Sequence, residues 1–163
     1  MPDNNAIAES WLVAELGSAL AAVFETMTGA RPSPETGSPG KLPSSEGVLL
    51  RQPFQGIAGE YWVFAPAASV SSSAKLVLEA AGMEDDDPET SKSTYLETVN
   101  QGLSGLAQSM SGKFEREITA SSGSEQTSAP DLKWIPVTLA FPASSVTLYC
   151  ARSEEHTSEL QSH

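Results

Sequence analysis

The sequence predicts an α+β sandwich in which helices pack on a mainly antiparallel sheet. Three observations carry this prediction. Two long stretches repeat apolar residues at steps of three and four, the period of a helix that buries one face. Several short stretches are compact apolar runs or alternate apolar with polar, as strands do. The elements follow in the order helix, two strands, helix, long helix, three strands, within 163 residues, a length that suits one compact domain.

From Ala6 to Thr28, Leu12, Leu16, Leu20, Val23, Phe24 and Met27 line one helical face, and Gly29 stands where a helix stop belongs. Residues 30–46 hold four prolines and two glycines among Ser and Thr and read as a loop or a loosely ordered connection. The apolar runs Gly47 to Leu50 and Tyr61 to Ala65, separated by a segment with Gly56 and Gly59, read as a strand hairpin. Ser72 to Ala81 reads as a short helix closed by Gly82. Asp87 is a candidate N-cap with Pro88 at the first helical position, and they open the strongest element of the chain, a helix to about Met110 with exit at Gly112. Its residues Leu96, Val99, Leu103, Leu106 and Met110 step by 3, 4, 3 and 4. Three strand candidates follow, Phe114 to Ala120, Lys133 to Phe141 and Val146 to Cys150. Pro136 marks an edge or bulge in the second, and 121–132 reads as a mobile loop.

Composition narrows the function. Nine basic against 21 acidic residues give a net charge of −12, which repels phosphate backbones and anionic lipid, so neither nucleic acid nor membrane insertion is expected. No apolar run approaches the roughly 20 residues of a spanning helix. One cysteine, Cys150, excludes an internal disulfide and a Cys-rich zinc site, and the N-terminus lacks the order of a secretory signal, so a cytoplasmic location is expected. The two histidines, His156 and His163, both lie in the last eight residues.

That tail, residues 152–163, follows an apolar strand without turn or capping logic and resembles the translation of a short-read sequencing adapter. It is set aside as an adapter-derived artefact, which leaves 1–151 as the domain. Eight basic and eighteen acidic residues then remain, with a net charge of −10 and no histidine. Histidine bases, triads and histidine metal sites leave the candidate list. A cut reading frame also allows the natural protein to continue beyond Ala151.

The residues that could carry chemistry lie on the long helix. Ser93, Glu97, Asn100 and Ser104 fall at spacings of 4, 3 and 4 and share one strip, roughly 110° around from the centre of the apolar stripe. The strip is therefore expected on the helix flank, open to a partner while the helix stays docked. An Asn amide offers donor and acceptor to a water, and a carboxylate one turn away can accept protons or pair a cation.

The string Ser93-Thr-Tyr-Leu-Glu97-Thr-Val-Asn100, with its small-residue continuation to Met110, resembles the signature of the CheC, CheX and FliY chemotaxis phosphatase family. The stretches Phe24-Glu-Thr-Met-Thr-Gly29 and Gly56-Ile-Ala-Gly-Glu-Tyr-Trp-Val-Phe-Ala-Pro66 are similar to the corresponding parts of that family, so the resemblance spans nearly all of 1–151. It implies a CheC/CheX-like sandwich, with the sheet packed against the motif helix and the N-terminal helix. It also implies a partner, the phosphorylated response regulator CheY, whose aspartyl phosphate is hydrolysed. Carried over, Asn100 orients the attacking water, Glu97 docks a cationic side chain, and Ser93 and Ser104 support the motif. No cofactor of the chain's own is implied, and magnesium is expected on the regulator. Only one motif copy is present, because the N-terminal helix has Trp11, Glu15 and Ser18 at the matching positions, which is like CheX. The alternative is a non-catalytic interaction domain of a FliN or FliY-type flagellar motor switch protein, with motor switch subunits as partners and a SpoA-type switch domain in a continuation. A third class, an unrelated small-molecule binding domain, would be favoured if Glu97 and Asn100 were buried.

Other features read as structural. Glu84-Asp-Asp-Asp87 serves the helix dipole and solubility rather than a cation, so no metal site is assigned. Ser121-Ser-Gly-Ser124 lacks a hydrolase elbow. Trp62 and Trp134 belong to the core, and Cys150 is a buried strand residue.

Overall fold

The computed structural model describes residues 4–153 except 44, 45, 58, 85, 86 and 143, and for residues 4–10 the backbone alone. The elements are α1 (Asn4–Thr28), β1 (Ser33–Thr36), β2 (Gly47–Gln55), β3 (Glu60–Pro66), α2 (Ala67–Ala80), α3 (Pro88–Phe114), β4 (Thr119–Ala120), β5 (Ser124–Gln126), β6 (Ile135–Ala140) and β7 (Ser145–Ser153). The strands form one antiparallel sheet in the order β1-β6-β7-β3-β2-β4, with β5 also paired to β2. This is the α+β sandwich that the sequence predicts.

The sheet positions the helices through side-chain alternation. β6 alternates buried and half-buried residues, and Val137 and Leu139 enter the main core with Val63 of β3 and Val146 and Leu148 of β7. Leu12, Leu16, Leu20 and Phe24 of α1 and Val99, Leu103, Leu106 and Met110 of α3 pack onto the same face. Residues of opposite parity, Leu49, Phe64, Trp134 and Ala151, make a smaller cluster on the other face, with Trp62 packed against it. Both tryptophans thus serve packing, as expected.

Several elements differ from the sequence reading, each for a tertiary reason. Four exposed residues of the expected loop 30–46 form β1, paired with β6 from Ser33↔Ala140 to Thr36↔Val137. Pro136 lies one residue beyond that ladder, where its carbonyl accepts from Gly37 N at 2.9 Å, so β6 is an inner strand that tolerates its proline. The expected loop 121–132 contains β5, which pairs Ser124 to Gln126 with Arg51 to Leu49 of β2. The expected strand 114–120 reduces to Thr119–Ala120. The hairpin is longer than the apolar runs, and its turn needs its glycines: Gly56 and Gly59 both hold φ +98°.

α2 starts five residues early, at Ala67, and its serines find acceptors: Ser69 Oγ donates to Thr147 O of β7 at 2.7 Å and Ser73 Oγ to Val70 O of its own helix at 3.1 Å. α3 runs through Gly112 to Phe114 and ends at Glu115, whose φ is 54°. An exposed helical glycine costs about 1 kcal/mol. The cost is offset by Phe114 and Lys113 packing on Trp11 of α1, at 6.1 Å between rings and 4.9 Å from ammonium to ring. β7 continues through Arg152 and Ser153, paired with Tyr61 and Glu60, so the last strand enters the adapter-like tail; 154–163 lie outside the described residues.

Candidate functional site

α3 carries every residue singled out for chemistry, and its start is locally encoded. The Asp87 carboxylate accepts from Glu89 N at 3.1 Å, and Pro88 occupies the first turn, where no amide partner is needed. The inner face is Tyr95, Thr98, Val99, Gly102, Leu103, Leu106, Ala107 and Met110. This arc is wider than the apolar stripe because α1 covers Thr98 and Gly102. Thr98 Oγ1 donates to Thr94 O at 2.8 Å and lies 3.6 Å from Met27 Sδ, while Gly102 leaves so little room that a Cβ would sit 2.5 Å from Leu20 Cδ2.

The consequence is a correction to the expected position of the strip. Measured from the middle of the buried arc, Ser93, Glu97, Asn100 and Ser104 lie about 140° round, facing outward rather than on the flank. All four are exposed, and none has a hydrogen-bond or ion-pair partner among the described residues. Glu97 and Asn100 are about 4.5 Å apart along the axis. With Leu96 and Gln101 they line one shallow, open depression. Sequence reading assigned Leu96 to the buried stripe and missed Gln101. Leu96 is half-buried, and Gln101 is an unremarked polar residue whose only signal is its place beside Asn100.

The surroundings set the chemistry. An open depression does not enclose a small molecule, and the apolar crevice lined by α1, α3, β3 and β7 holds only about 20 Å³, the size of one water. With Glu97 and Asn100 exposed, the small-molecule class loses its distinguishing feature. Beneath the strip, burial pushes the Tyr95 hydroxyl pKa up, and the nearby Cys150 adds to the shift. Burial likewise pushes the Cys150 thiol up to about 12, so at neutral pH neither group is a nucleophile or base. Cys150 is the buried strand residue expected. Asp85 and Asp86 of the acidic run lie outside the described residues, and no group of three or more potential metal ligands occurs among those described. No described helix is long and apolar enough to cross a membrane.

What remains on the strip is a carboxylate and a carboxamide one turn apart, on a helix fixed from behind. It can orient a water and pair a cation on an incoming surface.

No family model and no curated protein matches the sequence. Solved structures do match. FliY of Thermotoga maritima aligns with a TM-score of 0.65 at 15% identity, covering 91% of this chain and 88% of that one. A chain of the CheX–CheY–BeF3–Mg2+ complex of Borrelia burgdorferi aligns with a TM-score of 0.58 at 14% identity, covering 86% and 96%. A chain of the FliM–SpeE complex of Helicobacter pylori aligns with a TM-score of 0.64 at 10% identity, covering 94% and 95%. At such identities the likeness is one of architecture: this chain has the helix-on-sheet fold found in CheX, FliY and FliM structures.

Proposed function

We propose that the chain is a chemotaxis or flagellar switch domain that docks a phosphorylated CheY-type response regulator on the outward strip of α3 and hastens hydrolysis of its aspartyl phosphate. One observation carries this reading: Glu97 and Asn100 stand exposed and unpartnered among the described residues, one turn apart, on a helix whose other side is locked in the core. Support also comes from the fold, one solved example of which is a complex of CheX with CheY.

The Asn100 amide would donate to and accept from one water, holding it in line with the phosphorus. The water oxygen bonds to phosphorus as the bond to the aspartyl oxygen breaks; inorganic phosphate leaves carrying both of the water's protons, and the regulator's carboxylate is restored. Such a transfer depends on positioning and charge more than on covalent help. Glu97 would pair a cationic side chain beside the phosphoaspartate, and Ser93 and Ser104 would flank it with hydroxyls. Magnesium would be held by the regulator; no residue of this chain is assigned to it. The reaction belongs in the cytoplasm, where such regulators work.

The test is the decay of phosphorylated CheY with wild type, Glu97→Ala and Asn100→Ala. Wild type should accelerate decay, Asn100→Ala should lose about 10²-fold of that acceleration with binding retained, and Glu97→Ala should act mainly by weakening binding. Unchanged decay with wild type rejects hydrolysis. A second reading, a non-catalytic motor switch module, is favoured by the likeness to FliY and FliM. Binding without acceleration selects it.

A further inference from the structure

We infer that the regulator's footprint crosses from α3 onto α1, where Glu15 meets a second basic patch of the same phosphorylated regulator; this rests on the docking reading above. The surface is continuous. Gln101 lines the depression that holds Glu97 and Asn100, and it also lines a second one between the helices, formed with Glu15, Ser18, Ala22 and Gly105. The two helices run antiparallel, since Trp11 meets Phe114 and Met27 meets Thr98. Glu15 therefore lies level with Ser109 and Met110, about 18 Å along the axis from Glu97.

Size requires such an extension. A stable interface takes about 800 Å² and 20–30 residues from each partner, more than a strip one side chain wide supplies. A regulator domain of ~100 residues has a radius of gyration near ~13 Å, so one docked copy reaches both carboxylates.

Charge says what kind of surface fits. α1 has no Lys or Arg. The two lysines of α3 are engaged elsewhere, Lys92 with Glu125 of β5 at 2.8 Å and Lys113 over Trp11. Glu15 and Glu97 have no ion-pair partner among the described residues. The crest of the helix pair is thus negative and unneutralised, and it attracts a basic surface.

The experiment measures the affinity of beryllofluoride-activated CheY for wild type, Glu15→Lys, Glu15→Gln, Glu97→Ala and, as a control for net charge, Glu79→Lys on α2. Circular dichroism establishes that each is folded. Glu15→Lys should weaken binding about three- to tenfold and Glu15→Gln less. Both effects should shrink near ~0.5 M salt. If wild type and Glu97→Ala differ while Glu15→Lys matches Glu79→Lys within about twofold, the footprint on α1 is overturned and docking on α3 stands. If wild type does not bind, the docking reading itself fails.

Discussion

Gly102 shows how one residue sets the geometry of the site. It brings α1 against α3, and a methyl there would meet Leu20, which is 1% exposed and has nowhere to go. Replacing glycine by alanine inside a helix gains up to about 1 kcal/mol of propensity, while forcing a methyl into a packed contact costs about 1–3 kcal/mol. The steric cost should win, so Gly102→Ala should lower the urea midpoint of unfolding. A rise in the midpoint would show that the helices separate freely. The same contact explains why the strip faces further outward than its spacing from the apolar stripe suggests. A sequence pattern weighs Leu and Met as buried, whereas Gly102 and Thr98 are buried because α1 happens to lie there.

Among the elements, α3 matters most, because it presents the whole candidate site. Its beginning is legible from Asp87 and Pro88, which act within one turn. Asp87→Ala should therefore cost about 1 kcal/mol and lower the melting temperature by about 2–4 °C for a domain of this size; calorimetry checks this. Its end was not legible. Gly112 marks a stop on local rules, yet Phe114 continues the helix to reach Trp11, a hundred residues away in the chain. Strands β1, β4 and β5 were illegible for a related reason. They have two to four residues each, mostly exposed and without apolar alternation, and pairing with an already formed neighbour makes them strands. The hairpin of β2 and β3 was legible because both strands bury apolar side chains and glycines occupy the turn.

For the whole molecule, two acidic groups buried in one core tie global stability to alkaline pH. Cys150 has a folded pKa near 12 against an ordinary 9.0, and Tyr95 is shifted upward as well. Below pH 9 both states keep the thiol proton, and its contribution is constant. Between 9 and 12 the unfolded chain releases the proton while the folded chain retains it, so stability falls as pH rises. Unfolding midpoints measured from pH 8 to 11 should decline, and Cys150→Ala, which removes the thiol, should flatten the part of the slope that begins near pH 9. An equal slope in that variant would assign the loss to other groups.

At this scale the division between sequence and structure is clear. The sequence by itself determined the α+β class, the two long helices, the hairpin, the cap of the motif helix and the four residues of the strip, because helical period, turn glycines and capping act over a few residues. Only the tertiary structure decided where the strip faces, that α1 stands beside it with Glu15 on a continuous surface, and which polar segments join the sheet edges. Those features depend on groups distant in sequence meeting in space, and no local pattern encodes which neighbour will bury a glycine or complete a strand's hydrogen bonds.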